Sequence, residues 1–307
     1  MYTKKGYLLA KIESTPGTDP TPTVAANAVE AFEIELVTKG DMKQRAMGMA
    51  DRSFHTEVRG QTQVDLKFKT FLKGSGNAGT IPRWDPLVRA CDRVATVVSG
   101  TSVTYYPAAT YEACTVWVNM DGILVKLNGC AGDCEVELVA GEPAFLNFTL
   151  SGNYALPTDS VVTAPTYDSS SPLIVKNSTT TFGSYAAIIE KMMLKFGNTI
   201  VARKDFTVAE AIRSFIVTNR NPEGMISCEA VLRATSNADF MSYFDAGTTK
   251  ALSMVLSGGA GNIVTVTAPV CVLRAPKWGD RDGLRTFDVD FQMARNSGND
   301  EMVIALT

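Results

Sequence analysis

The sequence contains a single histidine, His55, in the segment DRSFHTEV. A Ser-His-Asp or Cys-His mechanism needs a base that accepts the nucleophile's proton near neutral pH, so either mechanism would depend on this residue. The neighbouring sequence has no nucleophile elbow, and the charged residues Arg52 and Glu57 lie close to the histidine. This pattern is typical of a surface or a subunit contact. We therefore predict that the protein is not an enzyme.

The segment GSGNAG, residues 74–79, matches the pattern G-x-G-x-x-G of dinucleotide-binding loops. Such a loop must follow a strand and open a helix whose N-terminus receives the pyrophosphate. Here Thr80, Ile81 and Pro82 follow the segment, and the helical pattern begins only near Asp85. We interpret the segment as a flexible loop and expect no nucleotide cofactor.

The cysteines could hold a metal only if four ligands met in tetrahedral geometry, usually from two short-spaced pairs. One such pair is present, Cys130 and Cys134, and a second pair is missing. We therefore expect no metal site, but reduced and mostly buried thiols, with this pair flanking a turn. The six cysteines are Cys91, Cys114, Cys130, Cys134, Cys228 and Cys271.

Carboxylates alternate with other residues on several predicted strands, so each pair shares one face at about 7 Å separation. A glycosidase pair spans a similar distance but needs one carboxyl in an apolar setting, and calcium binding is a further alternative. Three separate pairs indicate instead a solvated sheet face. The pairs are Glu33 with Glu35, Glu135 with Glu137, and Asp288 with Asp290.

The composition bounds the remaining possibilities. The chain has 307 residues, 45% hydrophobic residues and a formal net charge of −3. It can form one large domain or two ordinary ones, and it lacks the basic character of a tight nucleic-acid binder. Neither a membrane span nor a signal peptide is evident, so we expect no membrane association and synthesis in a cytoplasm.

Two-residue alternation of apolar and polar side chains dominates the sequence and predicts a mostly antiparallel β protein. Each half shows the same order: a strand, a short capped helix, two strands and a final amphipathic strand. The predicted helices span residues 85–94, capped by Asp85, and 237–245, capped by Ser236 or Asn237. A duplicated unit is the economical interpretation, and chance similarity among alternating strands is the alternative. The predicted division is a first domain at 1–160, a linker at 161–180 and a second domain at 181–307.

Two segments resemble one family, the major tail tube proteins of long-tailed, non-contractile (siphophage-type) bacteriophages. The first is KIESTPGTDPTPTVAANAVEAFEIELV, residues 11–37, where a Lys-x-Glu start and a Pro/Thr arm lead into a long strand. The second is LNGCAGDCEVELVAGEPAFLNFTLSGNY, residues 127–154, with a Gly-x-x-Gly turn, an Ala-Gly-Glu-Pro turn and a Phe-rich strand. The resemblance is good over residues 8–154 and weaker over 180–307.

The resemblance implies two tandem tail-tube-like antiparallel β-sandwich or barrel domains, each with a short flanking helix. It implies a structural virion protein of the phage tail whose rings stack into a tube, through which DNA passes without specific binding. Tape measure, tail terminator and distal tail proteins are the implied partners. Because rings of this type usually hold six equivalent domains, a chain with two such domains predicts a homotrimer with pseudo-sixfold symmetry.

The polar strand positions and the long connections are our candidates for channel and contact residues. An acid-rich inner face would let a polyanion slide without adsorbing, since like charges repel. The predicted channel-lining residues are Glu33, Glu35, Asp288 and Asp290. The predicted subunit or ring contacts are Thr18, Asp19 and Pro20 in the arm, and Met42, Met47, Met49 and His55 in the excursion at residues 38–60.

Three other functions remain open at this level. One is the inner tube of a contractile tail or of a secretion-type injection system, although such subunits usually hold one domain. A second is a monomeric β-sandwich module for binding or adhesion, which would stay monomeric at high concentration. An enzyme is the third, and the missing histidines and cofactor loops count against it.

Overall fold

The computed structural model describes residues 2, 5–45, 53–183, 185–230 and 239–307. The protein is mostly β, with antiparallel strand pairs and two short helices, which confirms the predicted fold class. The first half contains β1 (Gly6–Ile12), β2 (Ala28–Val29), β3 (Phe32–Lys43), β4 (Val58–Phe71), α1 (Asp85–Ala90), β5 (Arg93–Val98), β6 (Ser102–Pro107), β7 (Cys114–Met120), β8 (Ile123–Val139), β9 (Phe145–Tyr154) and β10 (Thr158–Asp159). The second half contains β11 (Thr179–Phe182), β12 (Ile189–Lys195), β13 (Asn198–Lys204), β14 (Ile212–Arg220), β15 (Glu223–Glu229), α2 (Phe240–Asp245), β16 (Lys250–Ser257), β17 (Ile263–Leu273), β18 (Lys277–Arg281), β19 (Leu284–Ala294) and β20 (Val303–Leu306).

Alternation along the core strands, such as β4, β9 and β19, produces one buried and one polar face, as the sequence predicts. In β9 the side chains of Leu146, Phe148 and Leu150 are buried, and the residues between them are partly or fully exposed. Phe68 of β4 lies opposite Phe148, and their rings stack at 5.3 Å between centroids. Such cross-strand pairs fix the register, because a one-residue slip would turn the apolar set toward solvent.

The helices are shorter than predicted, and their caps differ. α1 ends at Ala90 rather than at residue 94, because Asp92 takes a left-handed conformation (φ 63°) and β5 follows at once. Trp84, not Asp85, occupies the N-cap position of α1, and no side chain caps the helix. The carboxylate of Asp85 instead accepts a hydrogen bond from the Tyr105 hydroxyl at 2.9 Å.

The cap of α2 also differs from the prediction. Asp239 is the N-cap, and its carboxylate accepts a hydrogen bond from the backbone N–H of Ser242 at 3.0 Å. The predicted caps Ser236 and Asn237 lie outside the described residues. Phe240 follows the cap and is the buried residue of this helix.

The strand pairings repeat between the two halves. In the first half the order is β3-β4-β9-β8, and in the second it is β12-β15-β19 followed by β17 and β18 together. Each half also has a strand that comes before this set in the chain and pairs outside it. β1 pairs with β7, the strand before β8, and β11 pairs with β16, the strand before β17. The same pairing scheme thus occurs twice in the chain.

The two halves are joined edge to edge by β8 and β12, which we call the in-chain joint. Its register places Glu135 opposite Lys195 and Leu138 opposite Met192. β8 can serve both halves because it is long: its first part pairs with β7, and its last part pairs with β12. A second connection pairs β6 with β20.

The continuous sheet does not close into a barrel within one chain. One path through it runs β3-β4-β9-β8-β12-β15-β19 and reaches β18. The end of β17 also pairs with β19, and the rest of β17 pairs with β16 and β20. Among the described strands, β3 pairs only with β4 and β18 pairs only with β19, so each has an edge with free backbone N–H and C=O groups. Along this path the sheet is open, with a free edge at β3 and another at β18.

The β13–β14 hairpin forms a separate two-stranded sheet and lies against the first half. Ile212 and Phe215 of β14 pack on Ala131 of β8. Arg220, at the end of β14, forms an ion pair with Asp92 at 2.5 Å and donates to the Ala108 carbonyl at 2.6 Å. These contacts add to the in-chain joint in holding the halves together.

Candidate functional site

The continuous sheet has one face on the core and one polar face, and we call the second the polar face. Opposite residues of an antiparallel pair share a face, so the registers show which side chains belong to it. Two registers illustrate the pattern, with Glu35 opposite Lys67 in the first half and Lys195 opposite Glu223 in the second. Its charged members include Glu33, Glu35, Lys67, Lys69, Glu135, Glu137, Lys195, Glu223, Lys277, Asp288 and Asp290.

All four predicted channel residues lie on the polar face. Glu33 and Glu35 stand on β3 at one end of the sheet, and Asp288 and Asp290 stand on β19 near the other end. Glu33 has a φ of 52° at an irregularity in the β3–β4 register. The structure therefore brings the four residues to one surface, which alternation alone could not establish.

Lysines alternate with the carboxylates on the polar face, which the sequence analysis did not anticipate. Lys69 Nζ lies 3.1 Å from a Glu33 carboxylate oxygen, and Lys277 Nζ lies 2.8 Å from an Asp290 carboxylate oxygen. Across the in-chain joint, Lys195 Nζ lies 3.2 Å from Glu135. Exposed pairs of this kind contribute little to stability. They leave few unpaired positive charges that could hold a phosphate backbone.

The Pro/Thr arm lies between β1 and β2 and is bound to its own chain. Lys126 Nζ lies 3.4 Å from Asp19, and Lys11 Nζ donates to the Pro20 carbonyl at 2.9 Å. Asp19 and Pro20 are half-buried, whereas Thr18 is exposed. Of the three predicted contact residues in the arm, Thr18 is thus the most accessible to a neighbouring molecule.

Glu13 fixes the base of the arm, and the sequence analysis did not single it out. Its carboxylate accepts hydrogen bonds from Thr115 Oγ1 at 2.6 Å, from Gly129 N at 2.7 Å and from Gly17 N at 2.5 Å. Burial raises the pKa of Glu13, although these three hydrogen bonds act in the opposite direction. The Lys-x-Glu start of the quoted motif contains this residue, so the signal was present in the sequence.

Of the contact residues predicted in the long excursion, Met42 lies on β3 and His55 lies just before β4. Met42 is half exposed on the free edge of β3, and His55 is partly buried. Met47 and Met49 lie outside the described residues. The apolar residues Ile34 and Val37 are also exposed on β3, so this edge presents apolar side chains to a possible neighbour.

The cysteines are free and buried. Cys130 and Cys134 do not flank a turn, because both lie within β8, which continues through the predicted Gly-x-x-Gly turn. Burial raises the pKa of the Cys130 and Cys134 thiols well above the ordinary value. Within the described residues no group of His, Cys, Asp and Glu side chains could hold a metal ion.

The glycine-rich loop at residues 74–79 makes contacts with the second half. Gly74 N donates to Asn262 Oδ1 at 2.8 Å, and Gly76 N donates to the Gly261 carbonyl at 3.1 Å. The loop is therefore tied down rather than flexible, and it connects β4 to α1 without opening that helix. None of the described helices is both long enough and apolar enough to span a bilayer.

The geometry is that of a β protein with an open sheet, free edges at β3 and β18, and a polar face of mixed charge. No curated protein sequence matches the chain. A family model described as phage tail tube protein matches residues 3–303, nearly the whole sequence. The chain therefore belongs to the phage tail tube protein family, a family of structural components of the phage tail.

Proposed function

We propose that the protein polymerises into stacked rings that form the tail tube of a long-tailed, non-contractile phage, and that DNA passes through the channel into the host. The observation that carries this proposal is the open sheet with a free edge at each end. A soluble protein usually protects such edges, whereas a ring-forming protein uses them to pair with the next copy. The polar face then lines the channel.

The repeated strand pairing supports a ring of three chains, each contributing two tube domains that correspond to residues 1–160 and 181–307. Eight strand positions run from β3 to β17 and β18 in one chain, so three chains supply about 24 strands. At about 4.8 Å per strand this ring is about 37 Å across its backbone, before strand tilt widens it. Six whole chains would give about 73 Å. Because each chain carries two similar domains, a trimer has true threefold symmetry and approximate sixfold symmetry.

Electron microscopy of the concentrated protein tests the ring. We expect rings or tubes whose reconstruction shows threefold symmetry, and isolated rings whose mass equals three chains of 33.0 kDa. True sixfold symmetry with six whole chains would contradict the trimer. A protein that stays monomeric at high concentration would contradict tube formation itself and favour a binding module.

The channel role is tested at positions of the polar face whose strands are paired on both sides, away from the free edges. Glu137 and Asp288 are such positions. Changing both to Lys adds positive charge where DNA passes, so we expect slower DNA ejection with near-normal tube assembly. The matched control is Glu137→Gln with Asp288→Asn, which removes the negative charges without adding positive ones. If assembly fails while ejection from the remaining particles is unchanged, these residues are contacts rather than channel residues.

The same proposal places the protein in the virion tail after synthesis in the host cytoplasm. Tape measure, tail terminator and distal tail proteins are its proposed partners, because a tube needs a length template inside and a component at each end. The predicted arm and edge residues Thr18, Asp19, Pro20, Met42 and His55 are proposed as contacts between copies or between rings. No cofactor is needed for any of these roles.

A further inference from the structure

The in-chain joint pairs β8 with β12. At the free edges of the sheet, β3 occupies the place of β12, and the end of β17 together with β18 occupies the place of β8. At the joint, β8 and β12 pair antiparallel, with Glu135 opposite Lys195 and Leu138 opposite Met192. Leu138 and Met192 are each 2% exposed. If the two free edges meet in the same way, their residues at the corresponding positions should be complementary.

The strand pairings identify Arg274 as the counterpart of Glu135. Cys134 of β8 lies opposite Phe148 of β9, and Leu273 of β17 lies opposite Phe291 of β19. Glu135 follows Cys134 within β8, and Arg274 directly follows Leu273, the last residue of β17, where its N–H donates to the Asp290 carbonyl at 2.7 Å. Arg274 therefore occupies, at the free edge, the place that Glu135 occupies at the in-chain joint.

The same comparison identifies Trp278 as the counterpart of Leu138. Trp278 lies opposite Phe287 of β19, which is four residues before Phe291. Glu137 lies opposite Phe145 of β9, which is three residues before Phe148. Leu138, the next residue, is therefore level with the position four residues before Phe148. Leu138 is buried by the second half of the chain, whereas Trp278 is 62% exposed. The free edge thus exposes a large aromatic side chain where the in-chain joint buries a leucine.

On the other free edge, Glu35 is the counterpart of Lys195. Glu35 of β3 lies opposite Lys67 of β4, and Lys195 of β12 lies opposite Glu223 of β15. Ile34, the neighbour of Glu35, is 39% exposed, whereas Leu194, the neighbour of Lys195, is fully buried. The outer edge of β12 is therefore covered by β8, whereas the corresponding edge of β3 has no partner among the described strands.

Both free edges carry one extra residue at the same level. Phe32 lies opposite Lys69, and a register shift separates it from Glu35, so Ala31 takes the place of Met192. From Ala31 to Glu35 is four residues, and from Arg274 to Trp278 is also four. At the in-chain joint the corresponding positions are only three residues apart, from Met192 to Lys195 and from Glu135 to Leu138. The two irregularities match each other and preserve pairing at both ends.

A groove beside the β3 edge can receive the indole of Trp278. It has a volume of about 1000 Å³ and is lined by Ala31, Ile34, Leu8, Val29 and Met120 among others. If the free edges paired as the in-chain joint does, the small residue Ala31 would be the cross-strand partner of Trp278. Buried aromatic side chains in such pockets commonly dominate the affinity of an interface.

We propose that the partner of each free edge is a second copy of this chain, in a defined register. β17 and β18 of one copy pair antiparallel with β3 of the next, with Arg274 opposite Glu35 and Trp278 opposite Ala31. The charges are opposite at both kinds of contact, but their order is inverted: Glu135 with Lys195 within the chain, Arg274 with Glu35 between chains. This inference rests on the proposed ring and adds its register.

Cysteine cross-linking tests the register directly. Directly opposite residues in an antiparallel pair have Cβ atoms about 4.5–5.5 Å apart, close enough for a disulfide after a small adjustment. We expect the double variant Glu35→Cys with Arg274→Cys to form covalent trimers on oxidation. An equal mixture of the two single variants should stop at dimers. The control Val37→Cys with Arg274→Cys is two residues out of register and should cross-link poorly.

The outcomes separate this inference from the proposed function. Rings seen by electron microscopy, with no cross-link or a stronger one in the out-of-register control, would overturn the register and leave the ring intact. Absence of rings in the wild-type protein would overturn the proposed function as well. Efficient cross-linking of the Glu35–Arg274 pair to trimers supports both.

Charge reversal and truncation give a second readout that does not depend on disulfide geometry. We expect Glu35→Lys or Arg274→Glu alone to weaken ring association about tenfold, and the two together to restore it. Trp278→Ala should weaken association at least about thirtyfold while the monomer stays folded, because the side chain is exposed there. A double charge variant as weak as the single ones would contradict the pairing.

Discussion

Arg220 and Asp92 form an ion pair between the halves that we expect to couple measurably in the free energy of unfolding. The Arg220 side chain is 19% exposed and that of Asp92 is 13% exposed, and their closest N···O distance is 2.5 Å. A charge-assisted hydrogen bond with little solvent access contributes about 1.5–3 kcal/mol. Removing Arg220 also leaves the Asp92 carboxylate and the Ala108 carbonyl without the hydrogen bonds that Arg220 donates to them.

One effect opposes this loss. Arg93 is buried beside Arg220, with its guanidinium 4.0 Å from the Phe196 ring centre. Burial, followed by the positive charge of Arg220, lowers the pKa of Arg93 to about 10. Replacing Arg220 by a neutral residue relieves this repulsion, so a single substitution underestimates the ion pair. A double-mutant cycle removes this contribution because it appears in both branches.

The cycle uses Arg220→Met, which keeps the apolar stem, and Asp92→Asn, which keeps a residue that tolerates the left-handed backbone at φ 63°. Urea unfolding of dilute, unassembled protein should give a coupling energy of about 2 kcal/mol, within a single transition for both halves. A coupling below about 0.5 kcal/mol would refute the argument that this pair holds the halves together. Two separate unfolding transitions would show that the two halves unfold independently, and would refute the expectation that they unfold as one cooperative unit.

Two further expectations concern packing and pH. Gly224→Ala should cost about 1–3 kcal/mol of stability, because the added Cβ would lie 2.3 Å from the Phe291 ring, whereas Gly40→Ala, with its nearest atom at 3.9 Å, should be nearly neutral in chemical denaturation. Burial raises the pKa of Asp85 above its ordinary 3.8, so between the ordinary and the raised pKa the folded state binds more protons than the unfolded state. The free energy of unfolding of the wild type therefore falls as pH rises through this range. Asp85→Asn removes this loss, and stability curves of wild type and variant that run parallel from pH 3 to 7 would contradict it.

Local patterns in the sequence were sufficient for the strands but not for their partners. Alternation predicted β4, β9 and β19 because each has one face on the core, and two-residue periodicity reports that directly. It could not predict that β8 continues past Gly129, which has a φ of 62° and looks like a turn residue. The last part of β8 also pairs with β12, which begins only at Ile189 and is distant in sequence.

The candidate site was predictable in part for the same reason. The acidic positions of β3 and β19 were visible as alternating carboxylates, and both fall on the polar face. Their lysine partners were not, because each pair joins residues on different strands. The cap at Asp85 was a reasonable prediction from residue type, but the hydroxyl of Tyr105, twenty positions away, competes for the same carboxylate.

The ion pair of Lys195 with Glu135 at the in-chain joint also bears on the fidelity of assembly. During synthesis, many copies are present, and a β3 strand from one chain could compete with β12 for the edge of β8. In that wrong arrangement Glu35 would face Glu135, and the repulsion of like charges disfavours it. The displaced β12 would gain nothing at the other edge, where Lys195 would face Arg274. If copies pair in the proposed register, the inverted charges at the two contacts disfavour exchange of strands, so that one chain can carry two similar edges that each bind the correct partner.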